Sequence, residues 1–312
     1  MQLDATATPW LERDTIRRLS RRSDARGLRQ LAVHVTLLLA TGVLICASRG
    51  MWRAPALLAY GIVLCFLFCA LHESIHGTAF ASRWLNGGVA WICGALLVLP
   101  PAYFRCFHFA HHRYTQDGSR DPELAAAPPA SVASWAWRIS GVPYWRERLT
   151  VTLRHALSGH ATETFVPAGR ERLIVGEARV LWGLYLSVAA ASAYFASPAA
   201  LLYWVLPALL GQPFLRLFLL AEHAGCPLTP DMLANTRTTY TNPAVRLLAW
   251  QMPYHAEHHC VPSVPFHALP ALNGLIGARV QVRARGYLAV HRELLRGYRA
   301  AAAARRGSPA GR

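Results

Sequence analysis

The sequence predicts an all-α integral membrane protein: four transmembrane helices as two hairpins plus a re-entrant or interfacial helix, with a cytoplasmic histidine-rich cap. Three observations carry this. Of 312 residues, 54% are hydrophobic and only 15% charged, with mean hydropathy +0.23, too apolar for an ordinary soluble domain. Four segments reach or approach the roughly 20 apolar residues that cross a bilayer. Histidines gather at the ends of those segments rather than inside them.

Taken in order, residues 1–30 are polar and arginine-rich, too long before the first apolar run for a secretory signal, and are read as a cytoplasmic arm. The apolar segments 31–48 and 54–71 are separated by "SRGMWR"; 180–196 and 198–221 meet at "SP". Connections this short force antiparallel neighbours, hence two hairpins. A fifth apolar run, 85–104, carries Gly87-Gly88 near its start and Pro100-Pro101 near its end. Reading it as re-entrant or interfacial keeps the arm, residues 72–179 and the chain from 222 on one side. That side holds nearly all the arginines and is expected to be cytoplasmic. Residues 31–275 form the expected membrane domain. Residues 276–312 form a basic tail whose last stretch, "AAAARRGSPAGR", is expected to lack regular structure.

The formal net charge is +16, and all 32 basic residues are arginine. Without a basic stripe interleaved with aromatics, this does not indicate nucleic-acid binding. It fits positive flanks of apolar spans, and the heavy use of Arg and Ala suggests a GC-rich bacterial genome; a bacterial inner membrane is the expected location. Seven cysteines, an odd number with no C-x-x-C pair, read as reduced, small hydrophobes.

The stretch "LHESIHGTAF" (71–80) contains H-E-x-x-H, the pattern in which zinc metalloproteases present two histidines and a glutamate base. Two further clusters argue against that reading: "HFAHH" supplies His108, His111 and His112, and "HAEHH" supplies His255, His258 and His259. With His72 and His76 this makes eight, more than one catalytic zinc can use. On helices, spacings of three and four residues share a face, and nitrogen-rich sites suit iron, zinc or copper. Glu73, Asp121, Glu222 and Glu257 are candidates for orienting the rings, with helix capping or pairing to Arg113 or Arg120 as the alternative. Trp84, Trp91, Tyr103 and Phe104 either wall an apolar channel or form an interfacial belt. His34 is expected to bond a neighbouring helix; His155, His160 and His291 are expected to be solvated; His267 stands between these cases.

The order "HESIH", "HFAHH", "HAEHH" after the second and fourth spans resembles the membrane fatty acid desaturase and hydroxylase superfamily. The stretch 235–270 is similar to its bacterial branch with rhizobitoxine-type desaturases. The resemblance covers roughly residues 50–275. It implies two non-haem irons held by His72, His76, His108, His111, His112, His255, His258 and His259, with His223 as an additional ligand. It also implies O2 as co-substrate and an apolar lipid or acyl substrate. No haem, flavin or iron–sulfur motif is visible, so electrons are expected from a separate ferredoxin- or rubredoxin-like donor. The expected reaction is introduction of a double bond into a fatty acyl or similar alkyl chain. Alternatives are hydroxylation or ketolation of a carotenoid, alkane or other apolar compound, and a non-enzymatic metal-binding membrane protein.

Overall fold

The structure is a computed structural model that describes residues 11–307; the expected arm therefore falls outside it at residues 1–10, and the tail at 308–312. Among the described residues, helices α1 (Arg13–Leu19), α2 (Asp24–Ala47), α3 (Arg53–Cys65), α4 (Leu67–His76), α5 (Arg83–Leu96) and α6 (Pro101–Tyr114) form the first half. There follow α7 (Val132–Ile139), α8 (Val142–Ser158), α9 (Glu171–Tyr194) and α10 (Leu206–His223). The remainder comprises α11 (Met232–Asn235), strand β1 (Arg237–Tyr240), α12 (Pro243–Leu248), α13 (His255–Cys260), α14 (Leu269–Ile276), strand β2 (Val282–Arg285) and α15 (Tyr287–Gly307).

Among the described residues, four helical stretches are long and apolar enough to cross a membrane: 24–47, 50–76, 171–194 and 201–223. At 1.5 Å per residue, α2 is about 36 Å long, enough for a hydrocarbon core. It begins seven residues before the apolar run because Ser23 caps it, accepting a hydrogen bond from the Arg26 N–H at 3.3 Å. Asp24 then accepts from the Ser82 backbone and hydroxyl, tying the helix start to the loop after α4. Leu39, Val43, Leu186, Tyr194 and Phe195 remain exposed along the spans, the apolar belt a bilayer covers.

The two hairpins meet where α3 crosses α10. A Cβ on Gly211 would lie 1.9 Å from the Gly61 carbonyl oxygen, and one on Gly61 would lie 2.2 Å from that of Pro207. Only glycine allows such backbone contact, the small-residue packing of membrane helices. Chain direction is shared by α3 and α10. His72 lies eleven residues beyond Gly61 and His223 twelve beyond Gly211, so both reach the same level.

Between the hairpins, α5 and α6 are bent by 97°, a re-entrant-like pair in place of a straight span. Pro100 and Pro101 deny backbone donors to a continuing helix, and Val98 adopts a positive φ of 54°. Glu177, on α9, accepts from the Ala102 N–H at 2.7 Å and so caps the orphan start of α6. Helix α6 runs beyond the apolar stretch through all three histidines of the second box.

The chain beyond 275 packs onto the rest. Strand β2 pairs in parallel with β1, Arg237 opposite Val282 through Tyr240 opposite Arg285. Helix α15 places Tyr287 5.0 Å from Phe218. Residues 301–307, expected to lack regular structure, continue α15. Their alanines and arginines are strong helix formers, a preference that outweighs the polarity on which the expectation rested.

Candidate metal centre

Four helices deliver nine imidazoles to one point. Helix α4 places His72 and His76 one turn apart, and Gly77, left-handed at φ 71°, ends it there. Helix α6 contributes His108, His111 and His112, α10 ends on His223, and α13 carries His255, His258 and His259. All but His223 are buried; His258 is wholly inaccessible.

The rings sort into two groups. His72, His76, His108, His112 and His258 offer ligand nitrogens within 4.8 Å of one another, as do His111, His223 and His259. His255 joins the second group, its Nε2 3.2 Å from that of His223 and 3.1 Å from that of His259. The groups touch where the His112 and His259 rings stack at 4.1 Å.

These contacts suit cations. His111, His223, His255 and His259 form a chain of Nε2-to-Nε2 contacts of 3.1–3.2 Å. In the other group His112 Nε2 meets His108 Nε2 at 2.9 Å and His258 Nε2 at 3.1 Å. A neutral imidazole has one N–H, so it cannot serve two such contacts and also donate from Nδ1. Ligands about 2.1 Å from a shared metal ion and at right angles would stand ~3.0 Å apart, the spacing seen here. Burial pushes His255, His258 and His259 well below the ordinary imidazole range, reinforced by neighbouring histidines. Burial thus favours the neutral form that a ligand must have.

The backing groups fix tautomers unevenly. His111 Nδ1 donates to Asp121 at 2.9 Å, and His223 Nδ1 faces the Asn235 carbonyl at 3.3 Å. His259 Nδ1 meets the Thr115 hydroxyl at 3.2 Å, and Glu222 lies 3.4 Å from His255 Nδ1. Each turns Nε2 inward. In the five-membered group, Nδ1 of His72, His112 and His258 lacks a hydrogen-bond partner among the described residues.

Asp121 and Glu222 thus face imidazoles, Glu73 Oε1 lies 4.0 Å from His72 Nδ1, and Glu257 alone of the four acidic candidates is held elsewhere. Glu73 accepts from the Thr78 hydroxyl at 2.8 Å and the Phe266 N–H at 3.1 Å. Through one oxygen, Oε2, it ties the end of α4 to the segment after α13. Glu257 is bound by Thr238 at 2.6 Å and Asn273 at 2.5 Å; burial raises its pKa against those two bonds. Thr115, Asn235 and Glu123, 3.8 Å from His111, were not anticipated: a lone Thr, Asn or Glu carries no spacing signal.

Of the remaining histidines, His34 bonds the Val63 carbonyl of α3 at 2.8 Å, as expected. His155 and His291 are buried, not solvated. His155 pairs with Glu163 at 2.9 Å, while His291 donates to the Leu217 carbonyl at 2.8 Å and accepts from the Trp135 indole. Arginine-rich flanks gave them a polar aspect, but their helices pack that face inward. His160 is exposed, and His267 contacts Arg26 at 3.0 Å.

A cavity of about 390 Å³ opens onto the centre, with His72, His108 and His223 in its wall beside Phe68, Phe104 and Phe218. Trp84 is exposed. Mostly helical, with apolar spans and a buried histidine cluster able to hold metal, the molecule has the architecture of an integral membrane protein with a candidate metal centre. The fatty acid desaturase family profile matches residues 49–289, and the chain belongs to that family. A search of curated proteins finds no match.

Proposed function

We propose that the chain is an O2-dependent di-iron desaturase that introduces a double bond into a fatty acyl or similar alkyl chain. The observation that carries this reading is the division of nine converging imidazoles into two adjacent groups. One iron would be held by His72, His76, His108, His112 and His258, the other by His111, His223, His255 and His259. Two such ions, with O2 and external electrons, supply the oxidising power to take hydrogen from an unactivated methylene, which no side-chain acid or base can do.

The chain's own residues do the rest. Asp121, Thr115 and the Asn235 carbonyl hold three ring orientations. Phe68, Phe104 and Phe218 provide an apolar wall for the alkyl chain and keep water from it. Electrons come from a separate ferredoxin- or rubredoxin-like protein. Arginine-rich flanks support a multi-pass protein of the bacterial inner membrane with both termini and the centre on the cytoplasmic side. The desaturase-like stretch 235–270 favours an alkene over an alcohol.

Iron analysis of the purified protein should find two irons per chain; His258→Ala should lower the content and abolish turnover, whereas His291→Ala should keep its iron. Given a deuterium-labelled saturated acyl substrate, the protein should yield a product lacking two hydrogens without added oxygen. A main product carrying one atom from labelled O2 would reject desaturation in favour of hydroxylation.

A further inference from the structure

Arg216 lies within the fourth apolar span, seven residues before His223 and so nearly two full turns back on the same face of α10. Among the described residues its guanidinium has neither an ion pair nor a hydrogen bond, and its buried Nε is unpartnered. Its Cζ stands 4.5 Å from the centroid of the Tyr144 ring, a contact that accommodates a cation without neutralising it. An ionisable side chain inside a span is expensive, and such residues characteristically face a cavity and serve a ligand. Arg216 and Tyr144 do line the cavity that reaches the histidines.

The other charges there are engaged. Arg148 pairs with Glu147 although its Nε is unpartnered, Arg138 donates to the Ala126 and Ala127 carbonyls at 3.0 and 3.1 Å, Glu123 faces His111 and Glu222 faces His255. One end of the cavity is therefore histidine and phenylalanine, and the other holds an arginine with unused donors. At about 390 Å³ it falls within the ordinary range for a small-molecule site.

We propose that Arg216 binds the anionic group, a carboxylate or a phosphate, of an amphipathic substrate whose apolar chain runs past Phe104 and Phe218 to the histidines. This rests on the desaturase reading and gives it a substrate class: anionic amphiphiles, not neutral hydrocarbons or carotenoids. Arg216 is a binding residue about 10 Å along the helix axis from His223, so the oxidised position is counted from the anionic end and does not move with chain length.

The test titrates iron-loaded protein in an uncharged detergent with decanoic acid, its methyl ester, and dihexanoyl phosphatidate, read by calorimetry. Wild type should bind the acid or the phosphatidate roughly 10- to 100-fold more tightly than the ester, as expected for a charge-assisted contact. The tighter of the two anions identifies the source as a free acid or a lipid headgroup. Arg216→Gln should erase the preference while leaving iron content unchanged. Equal binding of acid and ester by wild type, or a preference that survives in Arg216→Gln, overturns the proposal. Should the variant fail to fold, the wild-type comparison still decides. Iron is measured on the same sample, so a protein that prefers the acid but holds no iron faults the di-iron reading and leaves this one standing.

Discussion

Asp121 does three things with one carboxylate. It accepts a hydrogen bond from His111 Nδ1–H at 2.9 Å, accepts the Gln116 N–H at 2.8 Å, and caps the turn after it by accepting the Glu123 N–H at 3.0 Å. Asp121→Asn keeps the shape but removes the charge that selects the His111 tautomer with Nε2 turned inward. Loss of such a backing group costs roughly 10- to 100-fold in metal affinity, which competition with a chelator would measure; unchanged affinity would show that His111 needs no orienting partner. At this scale the sequence is legible where spacing is informative. The boxes could be read because H-x3-H and H-x2-H-H are helical spacings, whereas Thr115 and Asn235 become visible only when separate segments meet. His155 and His291 misled because polar neighbours in sequence say little about which face of a helix turns inward.

The crossing of α3 and α10 sets the height at which the first box and His223 meet. Adding one methyl at Gly211 would drive it into the Gly61 carbonyl, 1.9 Å away, and backbone cannot step aside as a side chain can. Gly211→Ala should therefore separate the helices and destabilise the protein by about 1–3 kcal/mol, an overpacking cost. Thermal unfolding in detergent would check it, and iron content should fall with the stability. A variant as stable as wild type would mean the helices approach less closely than described. Both hairpins were legible from run lengths and short joints. The bend between α5 and α6 was foreshadowed by Pro100-Pro101, yet its partner, the Glu177 cap on Ala102, comes from another span and has no local signature. The helical tail was missed because charge was weighed above propensity.

For the whole molecule, the proposed cytoplasmic placement of both termini and the histidines predicts sidedness. A cysteine placed at position 160, exposed beyond the end of α8, should resist an impermeant thiol reagent in intact cells, while one at Gly50 in the first hairpin turn should react; the Cys46 background is removed by substitution. Labelling at 160 alone would reverse the topology. The glycine contact described above has a dynamic consequence as well. Helices that touch backbone to backbone cannot slide or breathe without losing that contact, so α3 and α10 behave as one immobile frame for His72, His76 and His223. Movement that admits a substrate is then expected in another part of the wall, where the cavity is lined by Pro122 through Ala126 and by Pro128 and Pro129. That segment has only one short helical turn and few backbone hydrogen bonds. Amide hydrogen exchange should accordingly be slow around Gly61 and Gly211 and fast from Leu124 to Ala127. Access to the histidine cluster would thus be governed by a short, proline-flanked flap rather than by the helices that carry the histidines.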